Sequence, residues 1–350
     1  MSAPRIRVLV VDDSAFARKV LREALSIHPQ LEVVGIARDG LEALEKIAEL
    51  KPDVVTLDLV MPNLDGVGVL RALPAQGGPR VVVVSVSDAD SELAIEALQR
   101  GAVDLVYKPT GLATNRLYEL SNELIEKVLG AAGAKAPGSA LDAGSALDAG
   151  KPSPTLSVAR AATKRLVAIG TSTGGPQALT RLLKDLPGDF PVPIAIVLHI
   201  PPGYTATMAH RLDELCAIDV EESREGLVLR PGLAVIGFAG QHLRVERRGA
   251  EIVARQGPSG GTHPHCPSVD VLFESVAEQI GAGALALVMT GMGDDGLQGS
   301  RKITAAGGMV LTESESSCII YGMPRVVVEA GLSRGQAPLE GLAELLRARV

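Results

Sequence analysis

Two stretches of this chain alternate short β-branched runs with longer segments whose apolar residues recur every three or four positions. In the first stretch the runs are Ile6–Val11, Leu31–Ala37, Asp53–Leu59, Val81–Val84 and Asp104–Tyr107. Between them lie amphipathic segments such as Ala15–Ile27, Leu41–Leu50 and Ser91–Arg100. Runs of this length predict strands, and the three-and-four spacing predicts helices with one buried face. A strict strand–helix alternation predicts an α/β fold, a doubly wound parallel sheet with helices on both sides. The second stretch begins at Arg165 and repeats the pattern, with strands predicted at Leu166–Ile169, Ile194–Leu198, Leu233–Ile236, Ala284–Met289 and Met309–Thr312. Helices are expected at Gln177–Leu183, Thr205–Leu215 and Val269–Gln279. A hairpin is expected over His242–Arg255, turning at Arg248-Gly249-Ala250.

The two patterns are separated by Ala131 to Ser157, a run of Ala, Gly, Ser and Pro in which Gly-Ser-Ala-Leu-Asp-Ala occurs twice, at Gly138–Ala143 and Gly144–Ala149. Such a segment buries too little apolar surface to offset the entropy of ordering it. The expected organisation is a domain over residues 1–129, a flexible linker over 130–160 and a second domain over 161–350.

Composition narrows the function classes. A net charge of −7 over 350 residues offers no basic face for nucleic acid. No apolar run approaches the length of a membrane span, so no direct membrane insertion is expected, and the start of the chain lacks a signal-peptide layout. Cys216, Cys266 and Cys318 are widely spaced and form no disulfide framework, which fits a cytoplasmic protein.

In the first domain, Asp12, Asp13 and Asp58 fall at strand C-termini, the side on which an open parallel sheet places its ligands. Three clustered carboxylates favour a hard divalent cation, Mg²⁺, which also offsets the charge of an incoming phosphoryl group and leaves Asp58 as nucleophile. Ser85 and Lys108 end the next two strands and supply a hydroxyl and an ammonium for phosphoryl oxygens.

In the second domain, Leu166 to Pro176 reads as a strand passing through a Gly-rich turn into a helix. The turn suits either a phosphate cradle or a nucleophile, Ser172, with backbone N–H groups beside it. The remaining loops favour the nucleophile. His199 ends the next strand, and Asp294 and Asp295 follow a later one, so that serine, imidazole and carboxylate gather at strand C-termini. His263, His265 and Cys266 resemble zinc ligands in type, but Pro264 separates the histidines and no second ligand pair is evident. Cys318 has no basic partner nearby in sequence.

On Val10-Val11-Asp12-Asp13-Ser14, Asp58 through Gly66, and Lys108-Pro109, the first domain resembles the response-regulator receiver family, with its flavodoxin-like fold. That resemblance implies phosphorylation of Asp58, Mg²⁺ held by Asp12, Asp13 and Asp58, and switching through Ser85 and Lys108. The chain departs at the aromatic switch position, where Leu105 stands and Tyr107 lies nearer the lysine.

On Ser172-Thr173-Gly174-Gly175, His199 through Thr205, Arg211-Leu212, His265 through Phe273, Thr290 through Gly296, and Tyr321-Gly322-Met323-Pro324, residues 165–348 resemble the Rossmann-like catalytic domain of the chemotaxis protein-glutamate methylesterase family. The receiver–linker–esterase order is that family's own. The resemblance implies Ser172 as nucleophile, His199 as base, Asp295 as acid, and the backbone N–H groups of Thr173 and Met292 as oxyanion donors, with no cofactor in the esterase. Departures are Leu198 before the histidine and the turn Gly237-Phe238-Ala239-Gly240.

The implied substrates are glutamate methyl esters, and glutamines for deamidation, in methyl-accepting chemoreceptors. The implied phosphoryl donor is a histidine kinase of the CheA type. A receiver that covers the hydrolase mouth until Asp58 is phosphorylated is the expected mode of control. Rival readings are a receiver fused to a non-catalytic scaffold, a nucleotide-binding output domain, or the same esterase in a non-chemotactic pathway.

Overall fold

The structure is a computed structural model that describes residues 4–74, 77–85, 91–108, 114–134, 165–261 and 263–350. The N-terminal domain runs β1 (Ile6–Val11), α1 (Ala15–Ser26), β2 (Leu31–Ala37), α2 (Gly40–Leu50), β3 (Val54–Leu57), α3 (Gly66–Ala72), β4 (Arg80–Ser85), α4 (Ser91–Gln99), β5 (Asp104–Tyr107) and α5 (Thr114–Gly133). Its five strands are all parallel, in the order β2-β1-β3-β4-β5. The strand order reverses at β1, so the loops after β1 and β3 open a crevice between them. Asp12 and Asp58 sit in those loops.

The C-terminal domain runs β6 (Leu166–Thr171), α6 (Gly175–Lys184), β7 (Ile194–Leu198), α7 (Thr205–Leu215), β8 (Asp219–Glu222), β9 (Val228–Leu229), β10 (Leu233–Ile236), β11 (Gln241–Arg248), β12 (Glu251–Pro258), α8 (Val269–Ile280), β13 (Ala284–Val288), α9 (Leu297–Ala305), β14 (Met309–Glu313), α10 (Met323–Glu329), β15 (Ser333–Ala337) and α11 (Leu339–Arg347). A seven-stranded parallel sheet has the order β15-β14-β13-β6-β7-β10-β8, and a small antiparallel sheet has the order β11-β12-β9. Every residue of β6, β7 and β13 is buried, as required of central strands covered on both faces.

Helix starts follow local chemistry. Ser14, Asp39, Asp65 and Ser268 each accept a backbone N–H in the first turn of α1, α2, α3 and α8. The predicted hairpin forms: Arg248 pairs with Glu251, which leaves Gly249 and Ala250 as the turn, with Gly249 at φ 63°.

Two expectations need correction. The helix α5 continues past residue 129 to Gly133, where the linker was expected to have begun. Ala131 and Ala134 are buried in the N-terminal core, and Arg80 Nε donates to the Ala134 carbonyl at 3.1 Å. Alanine is the best helix former, and its small side chain fits against the sheet, so the compositional change precedes the structural boundary. The rest of the expected linker, including both hexapeptides, lies outside the described residues. The strand β15 (Ser-Arg-Gly-Gln-Ala) was not expected, because a half-exposed edge strand has no apolar run to reveal it.

Gly66 fixes how α3 meets the acidic crevice. A Cβ at this position would lie 2.4 Å from the Asp58 carbonyl oxygen and 2.9 Å from Leu59 Cα. Both are backbone atoms and cannot swing away. Gly66→Ala should therefore destabilise the N-terminal domain by about 1–3 kcal/mol, read as a lower urea midpoint for its unfolding transition; an unchanged midpoint would show that the loop yields freely.

Candidate active site

The acidic crevice is built as its sequence suggested. Ligand atoms of Asp12, Asp13 and Asp58 lie within 4.8 Å of one another, the one group of three or more potential metal ligands among the described residues. Asp58 Oδ1 accepts the Leu59 N–H at 2.8 Å, and Oδ2 accepts Lys108 Nζ at 3.0 Å. Burial raises the Asp58 carboxyl above its ordinary value, although Lys108 opposes the shift. Burial acts to lower the Lys108 ammonium, but Asp58 and Asp12 outweigh it and hold the group above its ordinary value. Lys108 also pairs with Asp12. The Ser85 hydroxyl is fully buried and has no partner among the described residues, an open donor at the strand end beside Asp58. Two buried carboxylates and a third more exposed one form an all-oxygen donor set that fits a hard, oxygen-seeking cation.

In the C-terminal domain, β6, β7 and β13 are adjacent at the centre of the sheet, and they deliver Ser172, His199 and Asp295 from their C-terminal loops. His199 Nε2 lies 2.9 Å from Asp295 Oδ2. That contact assigns the proton to Nε2, which leaves Nδ1 with the basic lone pair. Nδ1 is buried and has no hydrogen-bond partner among the described residues.

Asp295 is held by the start of α8. Its Oδ2 accepts the Val269 N–H at 2.7 Å, while Oδ1 accepts Ser268 Oγ and the Asp270 N–H, each at 2.9 Å. Burial alone would raise this carboxyl. The His199 contact and the N–H groups of Asp270 and Val269 overcome it, so the carboxyl sits well below the ordinary range. The neighbouring Asp294 is exposed and makes no contact with His199. Asp270 in turn accepts the Gly296 and Gly299 N–H groups at 3.0 and 2.7 Å, which pins the turn carrying Asp295.

Ser172 follows β6 where Gly174 turns left-handed, at φ 79°, into α6. A Cβ on Gly291 would meet the Ser172 nitrogen at 3.0 Å, so the loops after β6 and β13 touch at Ser172. Ser172, Thr173, His199, His265 and Met292 line one cavity of about 920 Å³. Ser172 and His199 both line it, and no hydrogen bond joins the Ser172 hydroxyl to His199 Nδ1. Among the described residues, the Thr173 and Met292 N–H groups donate to no acceptor.

His265 stacks on His199 with ring centroids 4.1 Å apart and planes 23° from parallel. Burial, followed by repulsion from His199, lowers its imidazole to about 4. His263 meets His242 edge-on at 5.6 Å, and His242 Nδ1 accepts the Ser268 N–H at 3.2 Å. The two histidines of His-Pro-His-Cys thus face different partners.

The N-terminal domain closes one side of the cavity. Thr173 Oγ1 donates to Asp104 Oδ2, and Lys127 Nζ lies 3.0 Å from Asp104 Oδ1. Gly174 N donates to the Val103 carbonyl at 3.2 Å, and Gln177 Nε2 donates to the carbonyls of Leu98 and Ala102 at 2.8 and 3.0 Å. Leu105 is buried in the core, whereas Tyr107 faces the cavity.

Sequence reasoning missed Asp104, Lys127 and the stacking of His265, because side chains that meet from distant points in the sequence leave no spacing signal. The role of Ser268 was partly visible: a serine immediately before an apolar helical pattern marks an N-cap.

Residues 8–120 match the response regulator receiver domain family, and residues 167–346 match the CheB methylesterase family. A Myxococcus xanthus (strain DK1622) protein named protein-glutamate methylesterase/protein-glutamine glutaminase 5 is 61% identical over 349 residues, covering 99% of this chain and 98% of that one. A Symbiobacterium thermophilum relative with the same name, unnumbered, is 44% identical and covers 97% of this chain and 96% of its own. Among solved structures, the CheB methylesterase catalytic domain of Thermotoga maritima is 34% identical, with a TM-score of 0.52, and aligns over 54% of this chain and all of that one. With a receiver domain, a methylesterase domain and full-length relatives in the same order, the chain belongs to the protein-glutamate methylesterase/protein-glutamine glutaminase family.

Proposed function

We propose that this chain is a phosphorylation-regulated hydrolase that demethylates glutamate methyl esters and deamidates glutamines in chemoreceptor cytoplasmic regions. The observation that carries this reading is the oriented His199–Asp295 pair, whose Nδ1 has no partner among the described residues and whose histidine lines the same cavity as Ser172. Rotation of the Ser172 side chain toward Nδ1 supplies the missing hydrogen bond. Such contacts often tighten only when substrate is bound.

Ser172 Oγ then attacks the γ-carbonyl carbon while His199 Nδ1 takes its proton. Asp295 stabilises the imidazolium through Nε2. The tetrahedral oxyanion is held by the free N–H groups of Thr173 and Met292. Collapse expels methanol, or ammonia from an amide, with the proton returned by His199. Water attacks the acyl-enzyme, loses its proton to His199, and the serine leaves a glutamate carboxylate. His265 stays neutral against the His199 face and so holds the ring without adding charge.

In the receiver, Asp12, Asp13 and Asp58 would hold Mg²⁺, which when bound neutralises charge on a phosphoryl group arriving from a histidine kinase of the CheA type. Asp58 is the acceptor, while Ser85 and Lys108 bind the new phosphoryl oxygens. The docked receiver, with Asp104 holding Thr173, keeps the mouth covered in the unphosphorylated protein. A cytoplasmic site of action suits both partners.

The direct test is methanol release from methylated receptor, with and without a phosphoryl donor. Release should rise with the donor, and Ser172→Ala should lower it by on the order of 10³-fold or more; equal release from the two proteins would leave a scaffold role instead. Asp104→Asn weakens the contact with Thr173, so basal release should rise severalfold in unphosphorylated protein. Unchanged release would remove that contact from the control. His265 should titrate near pH 4 by NMR, and move up toward the ordinary value of 6.5 in His199→Ala. The unfolded chain protonates this ring first on acidification. Stability should therefore be complete above the ordinary histidine value and decline as pH falls from there toward 4, a trend read by denaturant midpoints.

A further inference from the structure

The cavity that contains Ser172 has a second wall, made by helix α5 of the receiver. Glu123, Glu126 and Lys127 line it together with Ser172, His199 and Met292. Residues 123, 126, 127 and 130 follow the three-and-four spacing of a single helix face. Gly130 is the point of closest approach, since a Cβ there would lie 2.9 Å from Ile320 Cδ1 and 3.3 Å from Met292 Sδ. A side chain here would have to displace the tips of Ile320 and Met292, so glycine brings the helix nearest to the loop that carries Met292. Glu126 lies four residues back on that face, about 6 Å along the axis.

The two glutamates differ in their commitments. Glu123 is paired with Lys127 at 3.0 Å, and Lys127 is also bound to Asp104 and the Leu105 carbonyl. Glu126 is exposed to the cavity and has no ion pair among the described residues. Lys127, held between two carboxylates, fixes the rotation of α5 about its axis, so the helix face that carries Glu126 borders the cavity. A γ-carboxylate carried on a protein backbone is also what the hydrolase leaves behind after each turnover.

We propose that α5 sits in the mouth as an internal copy of the product, with Glu126 in the position of the hydrolysed glutamate side chain. This rests on the reading of Ser172, His199 and Asp295 given above. The receiver then does more than obstruct: it fills the site with the chemical group that the site has just made. A glutamine at position 126 becomes a substrate in the same molecule. Ser172 Oγ forms a bond to Cδ, the C–N bond breaks, and ammonia leaves with the proton held by His199. Water then cleaves the acyl bond, giving Glu126 and free Ser172, so the sum is amide plus water to carboxylate plus ammonium.

The test uses full-length Glu126→Gln, whose exposed side chain can change without disturbing the core. Peptide mass spectrometry of the segment around residue 126 follows replacement of the amide NH₂ by OH. Conversion to glutamate is expected, at a rate independent of protein concentration, and it should be absent from the Glu126→Gln/Ser172→Ala double variant. A glutamine that persists in protein still able to release methanol from receptor would overturn the proposal and leave the esterase reading intact. Loss of methanol release from wild type would instead defeat that reading. Conversion that scales with protein concentration, or that persists without Ser172, would also overturn it.

Discussion

The carboxylate of Asp295 is the fixed point of the catalytic domain. It receives four hydrogen bonds, from Ser268 Oγ, the Val269 and Asp270 N–H groups, and His199. Hydrogen bonds to an ionised group contribute about 1.5–3 kcal/mol each, which is enough to offset the cost of burying the charge. The positive end of α8 adds to this. A carboxylate held by a helix start cannot turn, so the imidazole bonded to it keeps one tautomer and one orientation. Asp270 extends the arrangement by holding the Gly296 turn, and so the loop after β13 and the start of α8 behave as one piece.

A second constraint joins the domains. The strand β5 has four residues, with Asp104 at one end and Lys108 just past the other. Lys108 belongs to the acidic crevice, through Asp58 and Asp12, and Asp104 belongs to the cavity that contains Ser172, through Thr173. At about 3.3 Å per residue, the two polar ends stand roughly 13 Å apart on a single extended segment. The ammonium that pairs with Asp58 and Asp12 stands at one end of this strand, and the interdomain contact stands at the other, so the acidic crevice and the domain contact share one short, stiff element.

Much of this was legible in the sequence because central parallel strands are apolar on both faces and end abruptly in polar loops. Ile6–Val11 and Ile194–Leu198 stand at their expected limits, and the polar residues after them mark the crevices. Asp295 could not be told from Asp294 by residue type. The difference lies in which side chain reaches the α8 N–H groups, a matter of backbone direction. The end of α5 was obscured for the opposite reason: alanines suited to a linker by composition are equally suited to a buried helix. Asp104 and Lys127 gave no signal, since an interior ion pair on an otherwise ordinary strand and helix resembles any strand-end charge. The departure at Leu105 is explained by burial, and Tyr107 is the aromatic that faces the interdomain cavity.

The small antiparallel sheet lies away from the cavity, yet it grips α8 from the side. The Val245 N–H donates to Ser275 Oγ at 3.0 Å, and the Arg247 N–H donates to Gln279 Oε1 at 3.1 Å, both from β11 onto the body of the helix. These bonds set the tilt of α8, and the tilt sets where its first N–H groups point. A hairpin at the periphery thus acts as a cradle that aims the Asp295 carboxylate, so that alterations in its registration would be transmitted to the imidazole as an angle.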